Sequence, residues 1–180
     1  MRATKVQKGA ESPGLKEAVD EARIALDEDD LYGSEAPKEE SRQFVVFRVA
    51  REWYGVDMTK VREVIKTDRI AYLPSSPHHI AGIVNLRGNI LSVMDLKAVL
   101  HLDHEAPGGK RKIIAIESGS LETGFLVDEV VDSIEVSLSR IEPPLLTIPS
   151  EGEKYIEGQC RVNDRLIAFL NIEKILEEKE

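Results

Sequence analysis

Two close pairs of histidines, His78 with His79 and His101 with His104, are the residues whose type and spacing first suggest chemistry. Paired imidazoles can hold a transition metal or pass a proton. Neither pair has a cysteine beside it or an i, i+4 relation on a long helix, so the spacing argues against a metal site. His79 with Asp95 leaves one catalytic reading open, a small-barrel hydrolytic enzyme, which needs the two groups within one hydrogen bond or one bridging water. No serine sits in a Gly-x-Ser-x-Gly elbow, and Gly88 and Gly108-Gly109 lack the spacing and lysine of a phosphate-binding loop. Asp57, Glu63 and Asp95 fall where caps and exposed helix positions are expected, not as a tuned acid–base pair. These residue types describe a binding module better than an enzyme.

The cation that stands out is Arg87. It lies in IAGIVNLRGNILSVMDL, Ile80 to Leu96, where two apolar runs flank the tetrapeptide Asn85-Leu86-Arg87-Gly88. Ile83, Val84 and Leu86 read as one strand and Ile90, Leu91, Val93 and Met94 as the next. Gly88-Asn89 supplies the reversal, since both residues tolerate positive φ, and Arg87 then projects from the tip of a hairpin. A solvated turn arginine and a docking cation both remain open on this ground alone.

The elements that must hold this hairpin come from a chain of 180 residues, 42% hydrophobic, with a mean hydropathy of -0.24. That suits one globular unit or two small subdomains. No apolar run approaches the roughly 18 residues that span a bilayer, and the N-terminus lacks the apolar centre of a signal peptide, so a cytosolic location is expected. The single cysteine, Cys160, cannot form an internal disulfide and reads as a small buried hydrophobe in YIEGQCRV. A net charge of -9 and a pI of 5.1 repel phosphate backbones and anionic headgroups, which excludes nucleic acid and direct membrane insertion from the expected partners. The basic run Gly109-Lys110-Arg111-Lys112 reads as a solvated sheet edge.

Residues 1–42 carry eleven acids against seven Lys or Arg and read as a mobile N-terminal extension, with a short amphipathic helix over 13–27. The folded part, 43–180, opens on the strand Phe44 to Val49 and returns through Trp53 to Val56. Asp57 is expected to cap a helix with Met58, Val61, Val64 and Ile65 on one side. Asp68 to Tyr72 reads as a short strand, and Pro77 to Ala81 as a helical turn closed by Gly82. After the hairpin, Asp95 caps Leu96 to Leu100. Strands Lys112 to Glu117 and Thr123 to Val127 form a meander that Val130 to Val136 continues, and Pro143, Pro144 and Pro149 mark an extended connection. Ile156 to Val162 and Arg165 to Leu170 are joined by Asn163-Asp164, a tight hairpin pair, and Asn171 caps a terminal helix, Ile172 to Glu178. Nine or ten short strands with three brief helices favour small closed barrels, two more readily than one, with a groove between them. No strong sequence repeat shows.

The runs QFVVFRVAREWYGVDMTKVREVI, LPSSPHHIAGIVNLRGNILSVMDL and TGFLVDEVVDSIEV, with YIEGQ and LIAFLNIEKIL at the end, resemble the CheW family of bacterial chemotaxis coupling proteins over residues 43 to 177. The resemblance implies a mainly β fold, two five-stranded SH3-like barrel subdomains with a hydrophobic groove at their junction. It implies no enzymatic activity and no cofactor. Partners would be the cytoplasmic tip of a methyl-accepting chemoreceptor and the regulatory domain of a CheA-type histidine kinase, met at membrane-associated receptor arrays in the cytoplasm. Receptor- and kinase-contacting positions would be Val61 and Glu63 on the first helix and Arg87 in the Asn-Leu-Arg-Gly turn, with Asn85 and Gly88 shaping its mount. A barrel module serving a signalling kinase outside flagellar chemotaxis is the nearest alternative.

Overall fold

The computed structural model describes residues 39–66, 69–102, 111–144 and 151–179. Short β-branched and aromatic runs separated by turn residues become ten strands: β1 (Ser41–Val49), β2 (Glu52–Asp57), β3 (Val61–Lys66), β4 (Ile80–Leu86), β5 (Asn89–Asp95), β6 (Lys112–Ser118), β7 (Leu121–Val127), β8 (Glu129–Ser137), β9 (Ile156–Val162) and β10 (Arg165–Leu170). A short helix, Leu96–Val99, follows β5, and a longer one, Ile172–Lys179, follows β10. Asp95 Oδ1 accepts from Lys97 N–H at the first, and Asn171 Oδ1 from Lys174 N–H at the second, so each helix begins at its expected cap.

The strands make two five-stranded sheets, ordered β8-β1-β2-β10-β9 and β3-β6-β7-β5-β4. These are one arrangement built twice: an edge strand antiparallel to a hairpin, a single parallel join, then a second hairpin that ends in the other edge. Val93 lies beside Gly124 as Phe169 lies beside Gly55, and Glu63 faces Ala115 as Asp132 faces Val46. Even the irregularities coincide, between Val61 and Glu63 on one edge and between their counterparts Val130 and Asp132 on the other. In chain order the second copy is permuted, because β8, β9, β10 and the C-terminal helix are completed by β1 and β2 from the start of the folded part. Permutation together with different side chains hides the repeat from a reading of the sequence.

Three apolar cores follow. Phe44, Val46, Cys160, Ile167 and Phe169 fill the first barrel, and Val84, Leu91, Val93, Ile113 and Ala115 fill the second. Between the barrels lies a larger shared core, in which Phe47, Tyr54 and Val56 meet Ile114, Ile116 and Phe125, roofed by Leu96, Val99, Ile172 and Ile175. Complete burial of each such side chain contributes about 1.5–3 kcal/mol. The seam where an apolar groove was expected is therefore largely packed. One small opening along it, about 70 Å³, is lined by Ser92, Met94, Leu121, Thr123 and Leu176.

Several expectations are corrected. Beyond Asp57 the helical geometry lasts only for the 3₁₀ turn Met58–Lys60, and Val61 to Lys66 is a strand whose residues alternate between half-buried and exposed. Apolar residues at 61 and 65 satisfy both periods, and β-branched Val61, Val64 and Ile65 decide for the strand. Pro77 opens only a turn, and β4 starts at Ile80. Ala71 makes a single bridge to Ile83, with residues 67–68 outside those described. β8 does not continue the β6–β7 meander but crosses to pair with β1. Lys112 starts an inner strand, not an edge, and its ammonium donates to Val130 O at 3.0 Å. β1 begins at Ser41, two residues before Gln43. The helix expected over 13–27 and the first two residues of the basic run, Gly109 and Lys110, lie outside the described residues.

Candidate docking site

The reversal between β4 and β5 falls on Arg87-Gly88, one residue earlier than expected, and Asn89 already belongs to β5. Both turn residues have positive φ, 52° and 94°, as the tightest hairpin connection demands. Gly88 takes such an angle freely, whereas an arginine there is uncommon. Asn85 Oδ1 accepts the Gly88 N–H at 2.8 Å and locks the reversal. The equivalent turn of the other barrel uses Asn163-Asp164, at φ 46° and 61°, residue types that tolerate this region better.

From this mount Arg87 reaches Glu63, Nη2 to Oε2 3.1 Å, with the arginine side chain 80% exposed and the glutamate 25%. Since β3 and β4 are opposite edges of their sheet, the contact shows the sheet curled until its edges meet. An ion pair this open contributes about 0–1 kcal/mol, so it orients Arg87 more than it holds the barrel together. The guanidinium keeps further donors that face solvent. Asn85, Arg87, Gly88 and Glu63 are thus brought together. Val61 is not part of the group: the bulge at Arg62 leaves Glu63 on the side of Ile65 and the barrel interior, while Val61 packs half-buried on the shared core.

Sequence reasoning missed the apolar residues around the tip. Ile90, opposite Asn85, is 73% exposed, and Val64, next to Glu63 on β3, is exposed as well. Ile90 was absorbed into an apolar run, although strict alternation with buried Leu91 and Val93 puts it on the outer face.

The remaining candidates find other employment. His79 is buried with its carbonyl accepting the Asp95 N–H at 2.8 Å, while the Asp95 carboxylate is engaged as the helix cap. His101 pairs with Glu151 at 3.2 Å, and His104 lies outside the described residues. Among the described residues no group of three or more His, Cys, Asp or Glu is placed to hold a metal ion.

A family model described as the CheW-like domain matches residues 43–180. The chain belongs to that family. A chemotaxis protein CheW of Treponema pallidum is 30% identical over 152 residues, 81% of this chain and 88% of that protein. One from Klebsiella aerogenes is 27% identical over 139 residues, covering 77% and 84%. Among solved structures, the scaffolding protein TtCheW of Thermoanaerobacter tengcongensis is similar with a TM-score of 0.67 and 31% identity, covering 76% of this chain and 88% of that one. Membership in the CheW-like family agrees with the paired SH3-like barrels. No helix among the described residues of this CheW-like chain is long and apolar enough to cross a membrane.

Proposed function

We propose that this CheW-like chain is a non-catalytic adaptor that couples the cytoplasmic tips of chemoreceptors to a CheA-type histidine kinase and helps set its activity within membrane-associated arrays. Family membership and the chemotaxis names of its relatives support the setting. The observation that carries the docking site is Arg87, an arginine kept in the left-handed region on a rigid turn, with the exposed apolar Ile90 on the strand that leaves the turn and Val64 next to its ion-pair partner Glu63. Holding a non-glycine residue there costs about 1 kcal/mol, and strain of this kind points to a role outside folding. A helical partner recognised by an apolar surface needs a charge to fix its register, and the Arg87 guanidinium supplies one beside Ile90. Single contacts of this size are weak, and repetition in an array converts them to avidity. Kinase control then amounts to a preference of the adaptor for one of the kinase's states.

Reconstitution with a cognate receptor fragment and kinase tests the reading. The wild-type chain is expected to sediment with both and to change autophosphorylation, and Arg87→Glu to lose both effects while melting at nearly the wild-type temperature. An unchanged phosphorylation rate with no co-sedimentation of the wild-type chain refutes the function. A large fall in the melting temperature of Arg87→Glu makes the residue structural.

A further inference from the structure

The chain crosses between barrels at two equivalent places, and at each a charged residue of the crossing meets the second residue of a helix. Between β7 and β8, Asp128 Oδ2 accepts from Lys97 Nζ at 3.0 Å and from the Ala50 N–H in the β1–β2 turn at 2.7 Å. The Asp128 N–H in turn donates to Arg48 O, and both charged side chains are nearly closed off, 7% and 6% exposed. Between β2 and β3 the signs are exchanged. Lys60 pairs with Glu173 of the C-terminal helix, and Ser118, at the end of β6, accepts from Lys60 Nζ at 3.3 Å and donates to Glu173 Oε1 at 3.1 Å. These side chains are 33% and 49% exposed, and a cavity of about 350 Å³ lined by Thr59, Lys60, Arg62 and Ser118 opens beside them.

One joint is thus built twice, dry in one place and wet in the other. Exposed pairs are weakened by water and salt, whereas a buried pair cannot part without leaving a charge in the interior. We propose that the Lys60–Glu173–Ser118 joint is a releasable latch: it opens locally, loosening the β2–β3 crossing and the first turn of the C-terminal helix together, while the Lys97–Asp128 joint stays shut. The shared core forbids separation of the barrels, so the opening is confined to the rim. Its consequence falls on β3, which starts immediately after Lys60 and carries Glu63. The latch is independent of what docks at Arg87.

Hydrogen exchange on the full chain at neutral pH tests it without any partner. Lys60→Met and Glu173→Gln are expected to raise exchange several-fold in peptides over Met58 to Arg62, Ser118 to Ser120 and Ile172 to Ile175. Peptides over Ala50, Leu96 to Val99 and Asp128 should stay as in wild type. Raising sodium chloride to about 1 M should act on the wild-type chain in the same selective way, since it screens exposed charges and leaves buried pairs largely alone. Unchanged exchange at the first set in both variants overturns the latch. So does a parallel rise at both sets, which would mean global unfolding.

Discussion

The two barrels act as an internal control on each other. What folding requires appears in both: a glycine where β2 or β7 passes β10 or β5, Gly55 and Gly124; a bulge on the edge strand; a tight turn with two positive φ values; a capped helix after the parallel strand. What only one barrel has needs a further reason. The first barrel turns on Asn163-Asp164, as backbone preference favours, and the second on Arg87-Gly88. The register position of Glu63 is held in the first barrel by Asp132, which has no arginine across the turn to meet it. The interbarrel joints differ in the same sense, one dry and one wet. Features shared by the halves make the fold, and those that break the likeness mark where something else was selected.

The sharpest contrast lies between the joints. Removing one partner of a buried pair strands the other, so Lys97→Met is expected to cost about 3–5 kcal/mol in urea unfolding. Its counterpart on the wet side, Lys60→Met, should cost under about 1 kcal/mol. Equal losses would erase the distinction. A second contrast lies in the glycines that face the bridging segments. A Cβ on Gly82, at φ +143°, would stand 2.3 Å from Ala71 O, whereas one on Gly158 would meet Ile141 Cγ2 at 2.5 Å. A methyl can turn aside more readily than a backbone carbonyl. Gly158→Ala is expected to cost about 1–3 kcal/mol and Gly82→Ala more, as melting temperatures would report.

Smaller still in stability, and larger in function, is the exchange of turns. Arg87→Asn gives the second barrel the residue the first uses at the same place. Relief of the left-handed arginine contributes up to about 1 kcal/mol, offset in part by the lost ion pair, so the variant should be as stable as wild type or slightly more. Kinase coupling should fall nonetheless. A variant that couples normally would show that the arginine is only a solvated turn residue.

The sequence discloses most where local chemistry decides. Asn163-Asp164, Asp95 and Asn171 specify their turn and caps within a few residues, and all three are where their types predict. Val61 to Lys66 was misjudged because Val61 and Ile65, four apart in a short run, fit helix and strand alike, and the deciding partner, β6, lies some fifty residues away. The Arg87–Glu63 contact was partly legible, in that both residues were singled out. Their direct pairing depends on sheet curvature, which no local pattern encodes. The Lys97–Asp128 pair was invisible for the same reason, since Lys97 looks like any surface lysine until β7 and β8 close over it.

The smallest expected effect concerns acid, and it sets two carboxyls of the same half against each other. Glu173 has its carboxyl held below the ordinary range by the hydrogen bond from Lys60, assisted by Ser118 and opposed by partial burial. Glu157, on β9, is pushed the other way by burial. A depressed carboxyl stabilises the fold above its unfolded value, about 4.3, and loses that contribution as the pH falls through the lower folded value. A raised one does the reverse, contributing stability in acid that disappears as the pH climbs through its folded value. Glu173→Gln should therefore lower the melting temperature slightly at pH 7, with the deficit vanishing as the pH falls through the lowered folded value of the Glu173 carboxyl. Glu157→Gln should show its relative gain at neutral pH instead. The effect at Glu173 will be small because water reaches the pair, and high salt should flatten it. A deficit that persists unchanged into acid would mean that Glu173 acts through packing, and the wet joint would then owe nothing to charge.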